Sequence, residues 1–349
     1  MRGFILWSIN ILVCILLLSI WMMIPLGCGA NSNDDDDMTA ADDDSMKDDD
    51  SGDEADDDAT SDDDTTPIDD DSGTPADDDD TSQKPPGCDT LKAGLNKHFL
   101  VDGRERVFYI DLPDGVEETW PWPIVFNWHG YGDTAANMRT LIADLVNYET
   151  FPFIGVTPDD TGMLFDWDLF DAKNPNNREI RLFDELLKEL DKCWGVDPNH
   201  VHTMGFSFGG GVSDMLGVVR GDGIASIGTY SGVYASNPAN VIPYGMADWP
   251  DLTTPNKYVE LRIHGGSHDW MVLPFGQYAE NDRIYMNANG HDFVICNHNH
   301  PHNQGPLYMG PETIIEFFRD HPLGTFDSPY VDGFPADYPN FCSFSPKNE

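Results

Sequence analysis

Positive charge is scarce in this sequence. Nineteen Lys and Arg stand against 62 Asp and Glu in 349 residues, for a formal charge of −43. Binding to nucleic acid draws on clustered bases that neutralise phosphates, so a nucleic-acid partner is excluded as an expectation. No G-K-[ST] step occurs, which removes the phosphate-cradling loop. No H-E-x-x-H occurs, which removes the zinc helix of metalloproteases. No C-x-x-C pair occurs either, so zinc ribbons and thioredoxin-type redox motifs are absent.

The acidity is uneven. From Asp34 to Asp80 there are 24 Asp, Glu54 and a single base, Lys47, whereas from Pro86 onward 37 acids face 16 bases. Residues 29–87 hold no aliphatic larger than alanine except Ile68. Such a segment cannot bury enough apolar surface to offset the entropy of ordering it, and its carboxylates repel. It reads as a disordered, extended tether. Asp48-Asp49-Asp50-Ser51-Gly52 lacks the register and terminal Glu of a calcium loop.

Ahead of the tether, Met1-Arg2-Gly3 leads into an apolar run from Phe4 to Gly27 that ends at Cys28. A positive start, a greasy stretch and small residues before a cysteine read as an export signal. Leu26-Gly27-Cys28 resembles a bacterial lipobox, with Cys28 the lipidated residue. The run is also long enough for a retained membrane anchor. Both readings place the remainder outside the cytoplasm, joined to a membrane or secreted. The organisation expected is therefore leader or anchor 1–28, tether 29–87 and a folded domain 88–349. Cys88, Cys193, Cys296 and Cys342 suggest two disulfides there, with three connectivities open.

Within the folded part, short buried-strand runs alternate with helical patterns. Strands are expected at 106–112, 123–128, 152–156, 200–205, 224–230, 258–264 and 292–296. Helices are expected at 135–148, 179–193, from Ser207, near 275–286 and at 311–321. This alternation predicts an α/β domain whose mostly parallel sheet carries helices on both faces.

Gly205-Phe206-Ser207-Phe208-Gly209 fits G-x-S-x-G between a strand end and a helix start, the context of a nucleophile elbow. The strand must turn sharply into the helix, so only small neighbours fit and the serine hydroxyl stands exposed above the sheet. A serine needs a base to take its proton and a carboxylate to orient that base, in the chain order serine, acid, histidine. Asp269, just past the strand ending at His264-Gly265, suits the acid. His264 and His268 precede or flank it and read as structural or pocket-lining. Three histidines follow the last strand, in Cys296-Asn297-His298-Asn299-His300-Pro301-His302. We assign the base to His302, because Pro301 lets the chain turn there, while His300 before proline is biased to extended backbone. A metal site of Cys296 with these histidines is the competing reading. Backbone N–H groups of Phe208 and of Tyr131, in His129-Gly130-Tyr131-Gly132, suit an oxyanion hole, with His129 structural. Trp167 and Trp270 are candidate substrate-stacking residues. The scheme calls for no metal and no cofactor.

Several pieces together resemble the secreted α/β-hydrolase esterases that group polyhydroxybutyrate depolymerases with feruloyl and acetylxylan esterases. They are Pro123–Gly130, Val196-Asp197-Pro198-Asn199 leading to Gly205-Phe206-Ser207, His264-Gly265 with Asp269 and Val272, and Glu316–Pro322. The spacing of Cys296, His298 and His302 resembles the family's last loop. The resemblance implies the α/β-hydrolase fold and a serine carboxylic-ester hydrolase acting through an acyl-enzyme. Its substrates would be acylated polysaccharide or polyester. A non-catalytic carbohydrate-binding or adhesion protein on the same scaffold, and a serine peptidase, are the alternatives.

Overall fold

The computed structural model describes residues 88–162, 166–242, 247–336 and 338–347. The leader, Cys28 and the tether expected at 29–87 lie outside the described residues. Among the described residues, no helix is long and apolar enough to cross a membrane.

The strands are β1 (Gly94–Val101), β2 (Arg104–Asp111), β3 (Trp122–Trp128), β4 (Ile154–Pro158), β5 (Val196–Phe206), β6 (Ser226–Tyr230), β7 (Val259–His264), β8 (Phe293–Asn297) and β9 (Cys342–Ser345). They form one nine-stranded sheet in the order β1-β2-β4-β3-β5-β6-β7-β8-β9. The run from β4 to β8 is parallel, with antiparallel pairs at both margins. The helices are α1 (Ala135–Met138), α2 (Arg178–Trp194), α3 (Phe208–Arg220), α4 (Phe275–Ala288), α5 (Gly305–Tyr308) and α6 (Pro311–Asp320).

Neighbouring residues on a strand serve opposite layers. Phe126 packs with Phe183 and Leu186 of α2 and Met215 of α3 on one face. Val125 shares a second buried cluster with Ile314 and Phe318 of α6 on the other. Both faces of the parallel strands are thus apolar, which is why they read as near-continuous buried runs. Helix α2 starts at Asn177, whose side chain accepts from the N–H groups of Glu179 and Ile180, and stops at Gly195 with φ 74°. Parallel packing sets the carboxyl ends of β3, β5, β6, β7 and β8 side by side along one edge of the sheet.

One expectation changes and one open point is settled. The helix expected over 135–148 is a single turn, α1, followed by 3-10 turns at Arg139–Leu141 and Ala143–Leu145. The Met138 carbonyl accepts from Asn127 Nδ2 at 2.9 Å, and Ile142 N, its partner in a continued α-helix, donates to Arg139 O at 3.0 Å, so the chain goes on in 3-10 turns. The disulfide connectivity is fixed as Cys88–Cys193 and Cys296–Cys342. They close loops of 105 and 46 residues, a constraint on the unfolded chain of order 4 kcal/mol each on a chain-entropy account. Cys296 therefore offers no thiolate to a metal, which removes the cluster it was read to form with His298, His300 and His302.

Behind the sheet edge lies a fully buried charge cluster. Arg262 of β7 donates to Glu260 at 2.7 Å, to Asp214 of α3 at 2.8 Å and to Asp282 of α4 at 3.0 Å. One guanidinium thus holds three carboxylates out of water. Burial raises the Asp214 carboxyl well above its usual range and lifts Asp282 to about 6, although Arg262 opposes both. Protonation of these groups favours the folded state at low pH, and that contribution is lost as pH rises through their folded values. Arg262→Met leaves the carboxylates without their cation and pushes those values higher still. A loss of about 3–5 kcal/mol is expected near pH 7, with the deficit shrinking toward pH 5. Calorimetry of both proteins across that range checks it; a deficit independent of pH contradicts the account.

Candidate active site

Strand β5 passes directly into α3 with Ser207 alone between them. Ser207 follows Phe206 with φ 55° and ψ −117°, a left-handed conformation strained for a residue with a side chain. Its N–H donates to Tyr230 O at 2.7 Å, and its carbonyl accepts from Gly211 N at 3.0 Å. The flanking glycines are required sterically. A Cβ on Gly205 would meet Gly209 O at 2.3 Å, and one on Gly209 would meet Trp128 O at 2.1 Å. The expectation of an exposed hydroxyl is corrected: Ser207 is 8% exposed. The imidazole of His302 covers it.

His302 opens a 3-10 turn, His302–Gln304, directly after Pro301. Its ring lies between Phe206, at 5.0 Å, and Phe275, stacked at 4.5 Å. Nε2 is 2.8 Å from Ser207 Oγ and Nδ1 is 2.6 Å from Asp269 Oδ1. A carboxylate only accepts, so Nδ1 carries the proton and Nε2 is left to accept from the hydroxyl. Asp269 follows the 3-10 turn Gly266–His268 beyond β7. Its second oxygen accepts from Ser231 Oγ at 2.7 Å and from Gly265 N at 3.0 Å. Burial works to raise this carboxyl, but the bonds from His302, Gly265 and Ser231 outweigh it and hold the pKa below the usual value. The chain hydroxyl–imidazole–carboxylate is thus aligned to move a proton off Ser207.

The loop His129–Gly132 lies against the elbow, with the Tyr131 and Phe208 rings edge-on at 5.9 Å. Trp167 is corrected. It is fully buried, packs edge-on to Trp128 at 5.4 Å, and its indole N–H donates to His129 O at 2.8 Å. It pins the loop instead of facing substrate. Trp270, the residue after Asp269, is 66% exposed. His264 is buried, its pKa pushed down to about 4 by desolvation. His298 and His300 stack with Tyr308, His300 at 3.9 Å and His298 at 5.5 Å. His268 is 3.2 Å from Asn299 Oδ1.

Sequence reasoning passed over Ser231, Phe275 and the acidic pair Asp159-Asp160. Ser231 directly follows β6, at the same sheet edge as the other functional positions, and that placement was its signal. Asp159 and Asp160 follow β4. Their carboxylates lie 3.5 Å and 3.7 Å from His129 Nε2. Burial opposes a charged His129 imidazole, but these neighbours outweigh it and raise its pKa.

No family model matches the chain. It is 27% identical to feruloyl esterase D of Neurospora crassa over 157 residues, 43% of this chain and 53% of that one. The chain spans about half the length of the curated relatives it matches. The solved structure of native sOPH superimposes with a TM-score of 0.58 at 15% identity, covering 73% of this chain and 94% of that chain. A CE1 ferulic acid esterase from Anaeromyces mucronatus, solved without substrate, gives 0.51 at 17% identity, covering 68% and 94%. In fold the chain is an α/β-hydrolase, and in sequence it is similar to feruloyl esterases.

Proposed function

We propose that this chain is a serine carboxylic-ester hydrolase. The alignment of Ser207, His302 and Asp269 at a strained elbow carries the reading, and the likeness to feruloyl esterases supports esters over amides. Ser207 Oγ attacks the ester carbonyl as His302 Nε2 takes its proton. Asp269 holds the imidazole in the required tautomer and stabilises the cation that forms. The backbone N–H groups of Tyr131 and Phe208 receive the oxyanion. His302 then protonates the departing alcohol, and a water activated by the same imidazole releases the acid from the acyl-enzyme. Trp270, exposed and directly after Asp269 in the chain, is suited to stack on an aromatic acyl group or a sugar. Acylated polysaccharide with feruloyl or acetyl esters is the substrate class this favours, ahead of polyester. A panel of methyl ferulate, acetylated xylan, short p-nitrophenyl esters and polyhydroxybutyrate tests it. Hydrolysis of none of them, together with no labelling of Ser207 by a fluorophosphonate, favours a binding protein on the same scaffold.

The enzyme would work outside the cytoplasm, held to a membrane through residues 1–28 with 29–87 as spacer. The two disulfides support an oxidising compartment. Cys28→Ser is expected to release or mislocalise the protein, read by membrane fractionation. Unchanged attachment points to a retained membrane anchor in place of lipid.

A further inference from the structure

We propose that His129, Asp159 and Asp160 form a binding site for a divalent transition-metal ion of the zinc type, at the root of the loop beside the elbow. His129 is the first residue after β3, and the two aspartates are the first after its parallel neighbour β4. The side chain of His129 has no exposure, and its Nε2 has no hydrogen-bond partner among the described residues. The donor atoms of the three residues all lie within 4.8 Å of one another.

The tautomer decides what Nε2 presents. Nδ1 is 2.9 Å from Gly130 O, and a carbonyl only accepts, so Nδ1 carries a proton. Nε2 then aims either a lone pair or a second proton at the carboxylates. A lone pair facing two anions in a buried pocket is repelled unless a cation stands between them. The two carboxylates raise the imidazole's pKa and so favour a second proton, but a proton on Nε2 would draw one of them to about 2.7–2.9 Å. The separations found, 3.5 Å to Asp159 Oδ1 and 3.7 Å to Asp160 Oδ2, are longer than that. They are near the edge of a tetrahedron with metal–ligand bonds of ~2.1 Å, roughly 3.4 Å. Donation of the far ring N–H to a carbonyl is also how a metal-bound histidine is oriented.

The remaining groups suit the same role. Ala135 N donates to Asp159 Oδ1 at 2.9 Å and Gly162 N donates to Asp160 Oδ1, so both carboxylates are oriented. Their side chains are 32% and 21% exposed, which leaves an entry path and room for water as a further ligand. One imidazole with two carboxylates favours zinc or its neighbours over calcium, which prefers oxygen donors alone at 2.3–2.6 Å. The ion would tie the end of β3 to the end of β4 and fix the start of the loop that carries Tyr131 N–H. It takes no part in bond making. The binding site stands without the esterase reading; only its effect on turnover rests on it.

The test is zinc binding by the full chain, in competition with a chromophoric chelator, for wild type, Asp160→Asn and Asp159→Asn. Asparagine keeps the oxygen that accepts from Gly162 N or Ala135 N, so both substituted proteins should fold where a His129 substitution could fail. Any loose cation binding by the acidic run from Asp34 to Asp80 is common to all three proteins, so the difference between them reports the site. Wild type should hold one zinc at least tenfold more tightly than Asp160→Asn or Asp159→Asn, and its melting temperature should rise with zinc where theirs does not. Equal zinc binding in all three overturns the site, as does calcium binding in place of zinc. Turnover of p-nitrophenyl acetate, followed in the same samples, should fall several-fold on stripping zinc from wild type and return on its addition. Zinc bound tightly by wild type without hydrolysis in any sample would sink the esterase reading and leave the site. Hydrolysis by a wild type that holds zinc no more tightly than Asp160→Asn and Asp159→Asn would do the reverse.

Discussion

Ser207→Ala is expected to remove ester hydrolysis, lowering kcat by about a millionfold while the protein stays folded. The size follows from what the residue does. Without Oγ there is no nucleophile to form the acyl-enzyme, and His302 and Asp269 are left with no proton to move, so the groups fail as a unit. What survives is acceleration by binding and by the oxyanion donors alone. Stability should change by no more than about 1 kcal/mol. Alanine inherits the same φ of 55°, and the substitution removes one hydrogen bond, that to His302 at 2.8 Å. Turnover on a short p-nitrophenyl ester, with a thermal melt on the same sample, separates lost chemistry from lost fold. A fluorophosphonate should label wild type and leave Ser207→Ala unlabelled. Retained turnover in a folded Ser207→Ala protein removes the acyl-enzyme mechanism.

The elbow was legible because its constraints are local. Glycine is needed at 205 and 209 for contacts with atoms a few residues away or on the adjoining strand end, and the sequence displays both beside the serine. The position of Asp269 just past a strand end was legible, and so were the parallel strands, whose two buried faces leave them apolar throughout. Trp167 was misread because aromatic identity does not say which way a loop residue turns, and its bond to His129 O joins residues 38 apart. The shortening of the 135–148 helix depends on Asn127 taking a carbonyl from another element. The disulfide pairs depend on the folded arrangement of the whole chain, including β9, a four-residue edge strand without an apolar pattern. His129 with Asp159 and Asp160 is hidden for the same reason. Thirty residues separate histidine from acids, and only the pairing of β3 with β4 brings them together. In each case, what the sequence concealed was a contact between different elements of the fold, most of them far apart along the chain.

The other large effect is expected at His302. Alanine there should cost turnover as heavily as at Ser207, about 10⁵- to 10⁶-fold, while His300→Ala and His298→Ala stay within about tenfold of wild type. The three histidines are two residues apart on one segment, and their surroundings separate them. His302 alone bridges Ser207 and Asp269, at 2.8 Å and 2.6 Å. His298 Nδ1 already accepts from the His300 backbone N–H at 3.2 Å, and both rings stack with Tyr308. Truncating them disturbs a stack on the loop, and for His298 one local hydrogen bond, without removing the group that takes the Ser207 proton. His302→Ala also leaves a ring-sized gap between Phe206 and Phe275, next to the Asp269 carboxylate that oriented the lost imidazole. Free imidazole should enter that gap and restore part of the turnover in a saturable way, and it should do nothing for Ser207→Ala. Normal turnover in His302→Ala alongside loss in His298→Ala or His300→Ala would move the base to another residue while leaving the nucleophile in place. Comparable partial losses in all three, without imidazole rescue, would show that the loop's structure had been disturbed and that no single base had been identified.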